Sequence, residues 1–175
     1  MEIYEMLKRD HDELLELLAE LVGLANDDDY RFVLVEEIRN LLVPHSRAEE
    51  SVFYNTLRAV NADGSLIRHG YKEHLEAETL LRTLQVMDKF NMDWKKTALK
   101  LQQGMAYHIQ EEEAEIFEEA KAIFTSAEAI SLGDAFESLK PQIQREGFFK
   151  NSLDLVVNML PPRFSDKIRN LDVGK

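Results

Sequence analysis

The pairs His45-x-x-x-Glu49 and His108-x-x-x-Glu112 constrain this chain more than anything else in it. Residues four apart in an α-helix share one face, so each pair presents an imidazole and a carboxylate in the same direction. Two further histidines, His11 and His74, fit the same geometry. The midpoint of His11 and His45 falls in Asn26-Asp27-Asp28-Asp29, and that of His74 and His108 in Phe90-Asn91-Met92-Asp93. The midpoint of His45 and His74 falls just before Asn61-Ala62-Asp63-Gly64, and all three runs read as turns. Helices running up, down, up and down between these turns bring the four histidines to one level. Glu49 and Glu112 then lie together, roughly 6 Å below the imidazoles at about 1.5 Å per residue. Four imidazoles and two carboxylates meeting at one point imply metal, foremost a pair of iron ions with the glutamates as bridges. The donor set suits iron, manganese or zinc rather than calcium or copper(I). Burying these groups without a cation would leave several unpaired polar groups in the core of a marginally stable domain.

Apolar periodicity supplies the helices. Ile3, Leu7, Leu14, Leu18, Leu21 and Val22 mark one from Ile3 to Ala25, with His11 on its stripe. A second spans Arg31 to Leu57, and Pro44 predicts a kink just before His45. A third begins after Gly64, capped by Ser65, and runs to Lys89. A fourth begins behind Asp93 and runs to Phe124. No period-2 strand pattern and no Gly-rich phosphate loop is present. The expected fold is all-α: an up-down-up-down four-helix bundle over residues 1–125 with a C-terminal helical appendage over 126–175. In the appendage, Ser126 to Lys140 reads as a helix ending near Pro141. Leu153 to Leu160 is a short apolar run, and Ser165 is placed to cap a last short helix.

Composition removes several function classes. There is no cysteine, which excludes disulfides, cysteine-ligated iron–sulfur clusters and thiol chemistry. A net charge of −12 argues against nucleic acid as a partner. The charged N-terminus carries no apolar signal region and no stretch is long enough to span a membrane, so the expected location is cytoplasmic. Charge is uneven: residues 1–139 hold 14 Lys and Arg against 29 Asp and Glu, whereas residues 140–175 hold 7 against 4. The basic tail, with Phe148, Phe149 and Phe164, should emerge at the metal end of the bundle. Residues 141–175 are therefore expected to cover the way in to the metals, to form a homodimer contact or to dock a protein partner.

Other polar residues take quieter readings. His69 lies five residues before His74 and points off the ligand face. Glu78 reads as a salt-bridging residue, and Glu50, Glu111, Glu113 and Glu115 as a solvated face. Tyr54, Tyr71 and Tyr107 read as core or rim residues whose hydroxyls could orient a ligand. A ferritin-like site would need Glu-x-x-His, but Lys8, Leu42, Tyr71 and Met105 stand three residues before the four histidines. The His-Glu-x-x-His of zinc proteases is also absent.

The order His11, His45-x-x-x-Glu49, His74, His108-x-x-x-Glu112 resembles the hemerythrin-like HHE cation-binding family. So do the surrounding runs His45-Ser-Arg-Ala-Glu-Glu-Ser-Val-Phe-Tyr and His108-Ile-Gln-Glu-Glu-Glu-Ala-Glu-Ile-Phe. The likeness covers residues 1–125. It implies a non-haem di-iron centre with His11, His45, His74 and His108 as nitrogen ligands and Glu49 and Glu112 as bridging carboxylates. Oxygen-carrying hemerythrins have a His-x-x-x-His pair on the third helix and a His-x-x-x-x-Asp pair on the fourth. Here those positions give His74 with Glu78 and His108 with Glu113. One histidine fewer leaves one iron more open, which favours binding, sensing or reaction with O₂, NO or peroxide, or iron storage under stress, over reversible oxygen transport. Two other readings stay open. One is a di-iron enzyme that reduces nitric oxide or peroxide or delivers iron for iron–sulfur cluster repair, although the cysteine-containing domain of the repair proteins is missing. The other is an interaction module with a structural metal.

Overall fold

The computed structural model describes residues 1–60, 64–86, 93–146, 159–161, 163–165 and 167. The second and third turn runs lie largely outside these residues, as do Phe148, Phe149, most of the apolar run at 153–160 and residues 168–175. Among the described residues the chain is all-α, with no strand.

Helix α1 (Ile3–Gly23) starts on a reciprocal capping box, in which the Glu2 and Glu5 side chains each bond the other's backbone N–H. Helix α2 (Arg31–Glu49) continues through Pro44 and passes into a π-turn, Glu50–Tyr54, and then the short α3 (Asn55–Ala59). Helix α4 spans Gly64–Val86. Helix α5 (Trp94–Glu111) begins where the Asp93 carboxylate accepts the Lys96 N–H, and it passes through a second π-turn, Glu112–Ile116, into α6 (Phe117–Ile123). Thr125 and Glu128 form another capping box ahead of α7 (Ser126–Glu146). Sequence periodicity ends this last helix near Pro141, yet it runs on to Glu146. Leu139 and Ile143, on either side of the proline, are both buried, and their packing outweighs one lost backbone hydrogen bond.

Helices α1, α2, α4 and α5 form a ring in which each packs on two neighbours. Contacts along the helices give their directions. On α1 and α5, Lys8 meets Glu113 while Leu24 meets Lys95, so the two are antiparallel. On α2 and α4, Arg47 meets Glu78 while Glu50 meets His74. On α4 and α5, His69 meets Glu111 while Glu73 meets His108. The apolar interior divides in two. One cluster holds Leu14, Leu18, Leu21, Leu34, Ile38, Leu81, Leu101 and Met105. The other holds Ile3, Leu7, Val52, Phe53, Ile116, Phe117 and Phe124, and α7 adds Leu132, Phe136, Leu139 and Ile143 to it. Between the two lies a polar layer. Helix α7 packs against α1 and α2, and Phe164 closes the same end edge-on to Phe124. Burying a phenylalanine such as Phe136 is worth about 3 kcal/mol, and with Leu132, Leu139 and Ile143 it makes α7 part of the core.

Candidate metal centre

The polar layer is made of His11, His45, Glu49, His74, His108 and Glu112, each no more than 1% exposed. The structure brings all six sequence-predicted residues together. Glu49 Oε2 is 3.6 Å from His45 Nε2 and 3.3 Å from His74 Nε2. Glu112 Oε2 is 3.4 Å from His11 Nε2 and 3.8 Å from His108 Nε2. His74 and His108 approach to 3.0 Å between their Nε2 atoms, and the His11 and His45 rings stand 5.1 Å apart. The one-turn backbone step between imidazole and carboxylate levels is spanned at the side-chain tips, because Glu49 and Glu112 lean toward their own N-termini while His11 and His74, on antiparallel helices, lean toward them.

Each of the four layer histidines is gripped from behind. His11 Nδ1 lies 3.0 Å from Glu113, His45 Nδ1 3.3 Å from Asp10, His74 Nδ1 3.1 Å from Glu50 and His108 Nδ1 2.9 Å from Glu73. A carboxylate on Nδ1 holds the proton there and turns the Nε2 lone pair inward, which is how metal-ligating histidines are oriented. Glu50 and Glu113 are thus not the solvated residues their sequence position suggests. Both sit in the π-turns, where the wider backbone points one glutamate of each Glu-Glu pair into the layer and the next onto a neighbouring helix's histidine. In the first of these turns, Tyr71 donates to the Glu50 carbonyl and Ser51 to that of Arg47.

The layer repeats itself. His74, His108, Glu112, Glu73 and Glu113 each follow His11, His45, Glu49, Asp10 and Glu50 by 63 residues, and both π-turns fall after the second histidine of their half. This regular offset is the sequence signal that identifies the four outer carboxylates. Hydrophobic periodicity alone treats them as surface charges.

The halves differ in their surroundings. Asp10 is buried under α7, where Lys140 Nζ is 2.7 Å from it and Arg9 2.9 Å, and Glu137 ties the two cations together. Phe136 lies edge-on to the His45 ring at 5.7 Å. Glu73 instead meets His69, which is 41% exposed in its side chain. Phe117 stacks on His11 and Tyr54 on His74. Gly70 makes room for Tyr54, since a Cβ there would stand 2.5 Å from the hydroxyl. Glu78 pairs with Arg47 and lies off the layer.

The polar atoms of the layer suit a cation. His11 Nε2, His45 Nε2, the four oxygens of Glu49 and Glu112 and the Tyr54 hydroxyl have no hydrogen-bond partner. All but the hydroxyl are acceptors when the imidazoles carry their protons on Nδ1 and the glutamates are ionised. Without metal, protons take over the balancing charge. Burial lowers the His11 pKa, but the carboxylates of Glu112, 3.4 Å away, and of hydrogen-bonded Glu113 outweigh it and lift it to about 10. Burial drives His45 down to about 4 against the pull of Asp10. Burial and the neighbouring Glu112 carboxylate push Glu49 well up, whereas His11 holds Glu112 well below the carboxylate range despite burial. Burial likewise opposes ionisation of Asp10, and His45, Lys140 and Arg9 overcome it. The donor spacings of 3.0 to 3.8 Å quoted above fit neighbouring ligands on an ion with bonds of about 2.0–2.2 Å. The residues present therefore fit one or more bound metal ions, in the triads His11, His45, Glu49 and Glu49, His74, His108.

Among the described residues no helix is long and apolar enough to cross a membrane. No curated protein and no solved structure matches the chain. A family model does match, over residues 2–120, and its span takes in all six layer residues and all four outer carboxylates. The chain belongs to the family of that model, the hemerythrin HHE cation binding domain.

Proposed function

We propose that this protein holds two non-haem iron ions between His11, His45, Glu49, His74, His108 and Glu112, and uses them in the cytoplasm to bind, sense or react with O₂, NO or peroxide. The observation that carries this reading is the inward-facing set of acceptors, each imidazole fixed from behind by its own carboxylate. Six such side chains would be donors enough for two ions while leaving coordination positions for a small molecule, and a bound pair of irons would supply redox chemistry there. The chain's own contribution is positional and electrostatic. The outer carboxylates fix the imidazole tautomers, and the two apolar clusters keep bulk water from the layer. Tyr54, kept protonated by burial and by the charges of Glu112 and Glu49, offers a hydroxyl proton to a ligand entering on the His74 side. Manganese or zinc would satisfy the same donors, and iron storage or catalysed reduction would use the same site.

Optical and EPR titration of the reduced, iron-loaded protein with NO, and of the oxidised protein with azide, tests the reading. Saturable spectral changes at one ligand per centre are expected. An iron-loaded protein whose spectra ignore both ligands would exclude small-ligand chemistry and leave a structural metal. Steady-state turnover with an electron donor would make it an enzyme.

A further inference from the structure

A third copy of the motif remains unused by the buried centre. His69-Gly-Tyr-Lys-Glu73 is another His-x-x-x-Glu on α4, and it faces Glu111 of α5. His69 Nε2 lies 3.2 Å from Glu73 Oε1 and 3.6 Å from Glu111 Oε2, and one ligand atom of each residue falls within 4.8 Å of the other two. Among the described residues no Lys or Arg is paired with Glu73 or Glu111, whose ion-pair partners are His69 and His108. A cleft of about 350 Å³ between α4 and α5 opens beside Glu73, which lines it together with Glu76, Lys100, Gly104, Met105 and Tyr107. The other oxygen of Glu73 is the one that accepts from His108 Nδ1, 2.9 Å away. One residue thus belongs to the surface cluster and to the shell of the buried layer.

The internal repeat gives a control within the molecule. The positions 63 residues before His69 and Glu111 are Met6 and Ala48, both buried and apolar. There α7 lies over the bundle so closely that a Cβ on Gly133 would meet the Met1 carbonyl at 2.6 Å and Met6 Sδ at 3.1 Å. One half of the layer is sealed by α7. Over the other half no such helix lies among the described residues, and its rim carries metal-ligating side chains.

We infer that His69, Glu73 and Glu111 form a peripheral divalent-cation site through which ions pass to the buried centre on the His74 and His108 side. The inference rests on the buried centre taking up metal, as proposed above. A divalent ion would bind the three side chains facially, with water completing its sphere, and Glu73 would link it to the layer.

Two measurements on the full chain test this. In the first, Mn²⁺ is added to protein whose buried centre is already filled with iron, and bound Mn²⁺ is counted from the loss of the free-ion EPR signal. One extra Mn²⁺ per chain is expected, weakened about tenfold or more in His69→Ala and Glu111→Gln. Glu16→Gln, an exposed carboxylate on α1, should leave it unchanged. In the second, Fe²⁺ uptake by metal-free protein is followed by stopped flow. Both variants should fill the buried centre about tenfold more slowly and reach the same final iron content. Unchanged Mn²⁺ binding, or uptake at the wild-type rate, would overturn the inference and reduce the cluster to an ion pair. Wild-type protein that never takes iron into the layer would instead remove the function proposed above.

Discussion

Replacing Asp10 by Asn tests whether the outer carboxylates belong to the metal centre or merely neutralise charge. Asp10 is 3% exposed and receives four donors: Lys140 Nζ at 2.7 Å, His45 Nδ1 at 3.3 Å, and Arg9 at 2.9 and 3.3 Å. An asparagine keeps the shape but turns one of the two acceptors into an NH₂ donor. If the amide faces Arg9 it repels a guanidinium. If it faces His45 and Lys140, His45 keeps its neighbour only by moving its proton to Nε2, which abolishes the inward lone pair. A buried donor facing a donor costs about 1–3 kcal/mol of fold stability. Loss of a carboxylate behind a ligating histidine lowers metal affinity about 10–100-fold, or about 1.4–2.8 kcal/mol. Competition with a chromophoric chelator measures the second effect and thermal melting of metal-free protein the first. Glu137→Gln is the control, because Glu137 touches Arg9 and Lys140 but not His45. Asp10→Asn protein that melts lower yet binds iron as tightly as wild type would show that the carboxylate only neutralises Lys140 and Arg9.

Gly70→Ala should destabilise the protein by about 1–3 kcal/mol, because its methyl would press on the Tyr54 ring against His74. Gly104→Ala meets nothing within 4 Å and should stabilise α5 by about 0.5–1 kcal/mol, both by chemical denaturation. Phe136→Ala should cost about 3–5 kcal/mol and speed metal loss by uncovering His45, as stopped-flow chelation would reveal. Metal-free protein should lose stability as pH rises from about 6.5 toward 10. The His11 pKa is raised in the fold, so its contribution is complete below the unfolded value and vanishes as pH passes about 10. The raised Glu49 pKa acts in the same direction. Metal-loaded protein, with the cation in place of these protons, should show a flatter profile in melting experiments.

The six layer residues could be read from the chain because each requirement was local: two i, i+4 pairs, and two histidines placed by the turns. The four outer carboxylates could not be read in that way. Asp10 and Glu73 each stand beside a histidine but serve one on the next helix, so their role exists only after packing. Glu50 and Glu113 lie five residues past a histidine, which an ideal helix turns away from the layer; the π-turns change that. Helix α7 was only partly visible for a related reason. Its apolar stripe announces a helix, but nothing local tells that Phe136 and Lys140 reach His45 and Asp10, or that packing carries the helix past Pro141. The 63-residue offset would have exposed the four carboxylates together, since it pairs every layer residue with a counterpart and their acidic neighbours with them.

The two iron ions proposed for the polar layer between α1, α2, α4 and α5 would be bridged by Glu49 and Glu112. Elemental analysis with Mössbauer spectroscopy of protein reconstituted with ⁵⁷Fe²⁺ and then oxidised tests this claim most directly. Two irons per chain in a coupled diferric pair are expected, with Glu112→Ala losing the coupling and at least one iron. A single uncoupled ion whose affinity is untouched by Glu112→Ala would contradict the claim.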